Sequence, residues 1–463
     1  MPKALVFIDH DMIVRHFVHS DAFAALGEAF DVTYVFNDDI STEKKWLTLD
    51  IDSLGLGRVL RTHIPRIRMG SWYKLYAISV LHLQRGTPNY AGRRERMTDI
   101  NGWKRTQYYD LLSREPIYSW VRRKFLKELG LYKPLIDLIK EEQPDILIQP
   151  TQLNGYYINE LLLASEQLDL PFLILMNSWD NPSQKAAATG MPTCLAVWGD
   201  QTRDHAIEYM GLPPERVEII GAAQFDLYRK PVTETDAALR ARFGVPEGLP
   251  IVLYGGVSKS INETRHLQLL EDAIEAGDIE PCHILYRPHP WRGGLIDGEQ
   301  DFFEAGFRHI TMDPHMEAYY RRIAATGDDT FDMADYDVTR HLLHMIAGTV
   351  SSLSTIQLET TLNGKPTISF MPTLDMESKY GHSAAISARL AHFQGLWDCP
   401  GVEKCESDDD LPRAVNQLLM QAADPAWRER IRSYANSFAS LEGPTYGEKL
   451  RDLALRLSAK GTA

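Results

Sequence analysis

The sequence predicts an α/β protein built from two doubly wound, parallel-sheet domains that face each other across a cleft. Short apolar or β-branched runs alternate with longer helical patterns, as they must where each parallel strand is reached through a crossover helix. The 463 residues are enough for two domains at roughly 100–200 residues each. After Phe225 and Asp226 the texture breaks into a polar stretch with prolines at both ends, and a second alternating series follows.

The first series opens with a strand at residues 4–8, an unbroken apolar run of the kind that is buried on both faces of a parallel sheet. Strands of the same type are expected at 32–36, 146–149, 172–176, 194–198 and 217–220. Apolar residues recur near a 3.6-residue period over 122–142, as at Phe125, Leu129, Leu135 and Ile139, which predicts a helix there. Helices are likewise expected over 154–168 and 200–210. Residues from about 40 to 120 interrupt the alternation, are rich in Trp, Tyr and Arg, and read as an insertion. The first domain is therefore expected to span 1–226, followed by a linker at 227–248. The second domain, 249–440, is expected to have strands at 251–254, 283–286, near His309, 349–350 and 367–370. Its helices fall at 265–276, 339–346, 355–362 and 411–422. Two further amphipathic helices lie at about 425–439 and 446–459, the last expected to cross back to the first domain.

Composition narrows the functional classes. The chain is 44% apolar and 24% charged, ordinary for a soluble globular protein. No apolar run reaches the roughly 18–20 residues of a membrane span, and the start MPKALVFIDHD lacks the pattern of a signal peptide. A cytoplasmic protein is expected. Cys194, Cys282, Cys399 and Cys405 form no CxxC and read as small buried hydrophobes. The net charge of −14 argues against nucleic-acid binding. Between Arg58 and Arg105, however, eleven Lys/Arg face only Glu95 and Asp99, giving +9 and leaving −23 for the remainder. Such a segment either meets an anionic partner, such as a membrane surface at the inner face of the cell membrane, or is a solvated insertion.

Three strand ends in the second domain carry polar turns. Ser351, Ser352, Ser354 and Thr355 fill a strand-to-helix turn, with Glu359 one turn on and Gly364-Lys365-Pro366 as the stop. Backbone N–H groups and hydroxyls at such a helix start suit a phosphate, and Glu359 could accept from sugar hydroxyls. The alternative is an ordinary N-cap. Arg287-Pro288-His289-Pro290 follows another strand and places His289 where open α/β sheets bind ligands. There the histidine can donate to a phosphate and Arg287 can neutralise it. Gly255-Gly256 with Ser258 forms a third turn, without Walker or dinucleotide-fingerprint spacing. In the first domain Asp9, His10 and Asp11, with Arg15, follow the first strand. One of the three is expected to act as general base on an acceptor hydroxyl; helix capping is the alternative, and a DxD metal site is the weaker reading. Gln149, Asn177 and Asp180 follow later strands on the acceptor side. His341 and His344 lack a third ligand and read as part of an ordinary helix.

The two-domain layout, the Arg-Pro-His-Pro turn and the Ser-Ser-x-Ser-Thr-x-x-x-Glu…Gly-Lys-Pro block resemble GT-B glycosyltransferases of bacterial surface-polysaccharide pathways. The resemblance is strongest over 250–370 and absent from the basic segment. It implies that the second domain binds a nucleotide sugar and the first presents a glycan or lipid-linked acceptor. His289-Pro290 and Ser351-Ser352 match the phosphate-holding motifs of sialyltransferase-like and Kdo-transferase-like members, and Glu359 matches the ribose-binding acid. The implied transfer needs no metal, because protein donors stabilise the leaving phosphate. CDP-polyol phosphotransferases share the turn and the serines, and hydrolysing UDP-GlcNAc 2-epimerases share the fold. A non-catalytic scaffold of a polysaccharide assembly complex is the alternative from another class. The sequence departs from the sialyltransferase pattern in lacking a D/E-D/E-G motif.

Overall fold

The structure is a computed structural model. It describes residues 1–37, 50–151, 153, 155–185, 189–257, 261–290, 292, 295, 298–328, 332–373, 375 and 391–460. The chain divides into two compact units. The first comprises Met1–Asp226, the stretch from Phe438 onward, and Ala391 with His392; the second runs from Leu227 through Ser437 apart from that short piece.

The first unit is organised on a seven-stranded sheet in the order β3-β2-β1-β4-β5-β6-β7. Its strands are β1 (Lys3–Ile8), β2 (Asp31–Asn37), β3 (Arg58–Thr62), β4 (Ile146–Thr151), β5 (Phe172–Met176), β6 (Cys194–Val197) and β7 (Val217–Ile219). All are parallel, and β4 and β5 are buried along their whole length, which is why they read as continuous apolar runs. The second unit carries six parallel strands ordered β10-β9-β8-β11-β12-β13. These are β8 (Ile251–Gly255), β9 (His283–Arg287), β10 (Ile310–Met312), β11 (Gly348–Ser351), β12 (Thr367–Phe370) and β13 (Val402–Cys405). In each sheet the chain winds outward one way and then the other. The order reverses between β1 and β4 in the first sheet and between β8 and β11 in the second. Ligands of open α/β sheets bind outside the carboxyl ends of the strands at such reversals.

Two strands escape the sequence reading, β3 and β13, and both are sheet edges. Their sequences, Arg-Val-Leu-Arg-Thr and Val-Glu-Lys-Cys, carry the charges that protect an exposed edge and so lack the apolar run that marks a central strand. The helix expected over 122–142 is two helices, Ile117–Leu129 and Lys133–Glu142. Gly130, at φ +55°, stops the first, and Pro134 starts the second.

Beyond β3, the segment read as an insertion is a helical layer: Arg66–Leu83, Tyr90–Asn101, Trp103–Leu112 and Ile117–Leu129. It has its own core, in which Tyr76, Val80, Leu81, Met97, Tyr109 and Val121 pack together. Part of its positive charge serves the fold. Arg68 forms a two-pronged ion pair with buried Glu160 and donates to Leu129 O and Gly130 O. Arg85 pairs with Asp110, Arg58 with Glu142, and Arg93 is buried. All four cysteines are buried, as their isolation in the sequence suggests.

Candidate functional site

Each unit concentrates polar side chains at the reversal point of its sheet. In the second unit the Arg-Pro-His-Pro turn and the serine turn both pack on Gly255-Gly256. A Cβ on Gly256 would lie 2.8 Å from His289 N and 2.8 Å from Pro288 Cα, so the Arg-Pro-His-Pro turn rests directly on this glycine's backbone. Gly256 N also donates to Arg287 O at 2.9 Å. A Cβ on Gly255 would meet Ile356 Cγ2 at 2.6 Å and Ser351 Cβ at 3.7 Å, which brings the serine turn against β8. Both glycines are required by close approach, since neither has positive φ.

Ser351 and Ser352 are buried at the end of β11, and the Ser351 hydroxyl has no hydrogen-bond partner among the described residues. Gln357 holds the turn: its Nε2 donates to Ser351 O at 2.7 Å while its Oε1 accepts from Ser369 Oγ at 2.6 Å. Ser354 and Thr355 are half-buried, and Thr355 is the N-cap of the helix Ile356–Leu362. Glu359 is buried on that helix and accepts a hydrogen bond from Tyr228 Oη. His289 is half-buried, with its carbonyl accepting from Arg292 N and Tyr320 Oη. Lys365 donates to the carbonyls of His344 and Ile346, just past the helix Tyr336–Met345. The lysine of the Gly-Lys-Pro block is thus a helix-end tie.

Arg287 is placed at the turn but is already occupied. Its guanidinium meets buried Asp313 through Nε at 2.8 Å and Nη2 at 2.7 Å, and Nη1 donates to Thr339 Oγ1 at 3.2 Å. Ser258 lies outside the described residues.

Two groups that hold this site were not singled out from the sequence. Glu263 is fully buried in the first turn of the helix Glu263–Ala276 and accepts from Val257 N at 2.7 Å and Tyr286 Oη at 2.6 Å. Burial raises its pKa, while Arg292, 3.6 Å away, opposes that shift. Tyr254 Oη and His266 Nδ1 are 2.7 Å apart, and His266 Nε2 lies 2.7 Å from an Asp375 oxygen, a relay beneath the serine turn. Asn262, which caps this helix just before Glu263, was a readable helix-start signal; the relay, which joins Tyr254 to Asp375, had no local one.

In the first unit a cavity of about 600 Å³ opens at the reversal between β1 and β4. Asp9, His10 and Thr151 form its polar end, and Trp72, Tyr76 and Tyr156 contribute aromatic wall. Asp9 is buried and accepts from Tyr156 N at 2.9 Å; burial pushes its pKa up to about 6. Gly155 makes room for it, since a Cβ there would sit 2.6 Å from Asp9 Oδ2. His10 Nδ1 accepts from Met12 N at 3.0 Å, a capping role, and Asp11 begins the short helix that follows. Gln149 lies one pleat below Thr151 on the same strand face, fully buried, with both amide atoms lacking hydrogen-bond partners among the described residues. Asn177 Oδ1 accepts from His16 Nδ1 at 2.6 Å. Burial brings His16 down to about 3, so it is neutral at physiological pH. Half-buried Arg15 and Asp180 join Gln149 and Asn177 in standing outside the cavity lining.

Elsewhere, His341 donates from Nδ1 to Asp337 O at 2.7 Å within its helix, an ordinary buried histidine. Oxygens of Glu271 and Glu275 lie within 4.8 Å of a His309 ring nitrogen. Glu271 there accepts from the backbone of Arg308 and His309, and Glu275 pairs with Arg308.

No protein-family model matches the sequence. No curated protein matches it either. Solved structures do match in fold. A UDP-GlcNAc 2-epimerase from Methanocaldococcus jannaschii is 12% identical, aligned over 98% of this chain and 99% of its own, with a TM-score of 0.52. A glycosyltransferase from Rickettsia africae is 10% identical over 98% of each chain at 0.50. A UDP-N-acetylglucosamine 2-epimerase from Rickettsia bellii is 10% identical over 99% and 98% at 0.50. At such identities the likeness shows architecture alone. The chain has a GT-B-like fold of two parallel α/β sheets.

Proposed function

We propose that this protein is a glycosyltransferase that moves a sugar from a nucleotide-sugar donor to a glycan or lipid-linked acceptor. The observation that carries the reading is the packing of the Pro288-His289 turn and of Ser351 on Gly255-Gly256 at the β8/β11 reversal. A site that joins buried hydroxyls, a histidine and an acid one helical turn on suits a sugar diphosphate. Names of fold neighbours, which include a glycosyltransferase and UDP-GlcNAc 2-epimerases, agree with nucleotide-sugar chemistry.

In this mechanism the second unit holds the donor. Ser351, Ser352 and Ser354 hydroxyls and His289 meet the diphosphate and the charge that grows on it as the glycosidic bond breaks. Glu359, steadied by Tyr228, takes a sugar hydroxyl. Arg287 acts through Asp313 and Thr339 by fixing the turn, because its charge is already matched. The first unit holds the acceptor in its aromatic cavity, and Asp9 removes the proton from the attacking hydroxyl. Its pKa of about 6 leaves it mostly ionised near neutral pH yet basic enough to take a proton.

The test is thermal-shift screening with nucleoside mono- and diphosphates, followed by turnover of the matching sugar nucleotide. His289→Ala and Glu359→Ala are expected to raise the donor KM or abolish transfer with the fold intact. Full activity in both would remove the proposed donor site. Release of free nucleoside diphosphate together with 2-epimerised sugar would assign a hydrolysing epimerase instead. Release of CMP with transfer of a phosphoryl-polyol would assign the phosphotransferase.

A further inference from the structure

The helical layer after β3 turns several of its arginines inward and large apolar side chains outward. On the helix Trp103–Leu112, Trp103 is 65% exposed, Tyr108 57% and Leu111 51%; on Ile117–Leu129, Trp120 is 59% exposed. These two helices pack on each other and on Arg66–Leu83. Along the second, Ile117, Trp120, Lys124 and Lys127 are spaced i, i+3, i+7 and i+10, which puts them on one face. Lys124 Nζ stands 5.4 Å from the centre of the Trp120 ring. Lys104 and Arg105 are exposed beside Trp103.

Globular surfaces expose large apolar residues singly, whereas groups of them interleaved with cations mark a contact surface. Tryptophan and tyrosine rings favour the boundary between headgroups and acyl chains, and lysines lying along them keep their ammonium groups among the phosphates. Residues 103–129 hold seven Lys/Arg against three Asp/Glu, a net +4 in a chain of −14. With the adjoining basic stretch, residues 58–129 hold sixteen Lys/Arg against five Asp/Glu, a net +11 that leaves −25 for the rest of the chain, so charge also sets which side approaches an anionic surface. Among the described residues no helix is long and apolar enough to cross a bilayer.

We propose that the outward faces of Trp103–Leu112 and Ile117–Leu129 dock this protein onto an anionic lipid surface, with Trp103 and Trp120 inserted at headgroup depth and Lys104, Lys124 and Lys127 holding lipid phosphates. This moves the contact away from the arginines of the 58–105 segment, where Arg68 and Arg85 are matched internally and Arg93 is buried. Docking does not depend on the transfer reaction, so it can fail while that reading stands.

Flotation of the full-length protein with phosphatidylcholine vesicles, with and without phosphatidylglycerol, tests the proposal. The parent protein is expected to float with the anionic vesicles, less so at high salt, and to ignore the neutral ones. Trp103→Glu with Trp120→Glu is expected to lower partitioning about tenfold or more. Circular dichroism and melting temperature should not change, because both positions are exposed. Lys104→Glu with Lys124→Glu and Lys127→Glu should remove the salt-sensitive part. Unaltered flotation of the tryptophan variant, or no flotation of the parent, would overturn the proposal. A parent that ignores vesicles but forms a dimer which the tryptophan variant loses would assign the face to a second copy of the chain.

Discussion

Asp9, the base proposed above, couples stability to pH. Its carboxyl is buried with a Tyr156 N–H for compensation, and the cost of burying the charge raises its pKa to about 6. Folding therefore favours the protonated form. The stabilisation is complete below the unfolded value of about 4 and is lost as pH rises through about 6, leaving a penalty of about 2–3 kcal/mol above it. Asp9→Asn keeps the shape and removes the charge. It is expected to be more stable than the parent at pH 8, by about 2 kcal/mol, with the difference closing by about pH 4. Urea unfolding at the two pH values checks this; equal offsets at both would mean that Asp9 is solvated. The same variant should lose transfer activity, and in the parent kcat/KM should climb through a limb near pH 6. His16, already neutral there, does not contribute to that limb.

At the scale of elements, the turn after β8 is where close packing and charge meet. Gly256→Ala would press a methyl group against Pro288 Cα, His289 N and Glu263 Oε2, each 2.8 Å from the added carbon. Two of these three atoms are backbone, so relief requires the Arg-Pro-His-Pro turn to move. The variant is expected to lose about 1–3 kcal/mol and to raise the donor KM more than it lowers kcat; an unchanged KM would separate the turn from the donor site. The elements themselves were largely legible. Central strands such as Phe172–Met176 were readable to the residue, because burial on both faces leaves an uninterrupted apolar run. The edge strands β3 and β13 were not, because Arg58, Arg61, Glu403 and Lys404 interrupt their apolar runs. The three candidate turns were visible one at a time as local motifs. The packing of the other two on Gly255-Gly256, the occupation of Arg287 by Asp313 and the support from Glu263 depend on contacts between distant strands. The aromatic wall was hidden for a related reason: Trp72 and Tyr76 belong to a segment whose net charge drew attention to its arginines.

At the scale of the whole molecule, the first unit needs the end of the chain. The helix Tyr446–Lys460 inserts Tyr446, Leu450, Leu453 and Leu457 into the core beside Phe17, Phe23 and Ile148. Its start is tied by Tyr446 N donating to Asp226, and Phe438 packs edge-to-face on Trp179. Four large buried side chains at about 1.5–3 kcal/mol each amount to roughly 6–12 kcal/mol, comparable to the whole stability of a typical domain. Removing residues 438–463 is therefore expected to unfold the first unit. The milder Leu450→Ala, at a fully buried position, should cost about 2–5 kcal/mol. Among the described residues, the second unit's core draws its helices from 263–276, 314–326 and 411–423 and takes nothing beyond Ser437. Leu450→Ala should accordingly lower the melting of one part of the molecule and leave the other in place. Hydrogen exchange followed by proteolysis resolves the two: faster exchange is expected in β1, β2, β4 and β5, with β8, β9 and β11 unchanged. Uniform acceleration in both sheets would mean that the units unfold as one, and that a ligand bound to either would stabilise the entire chain.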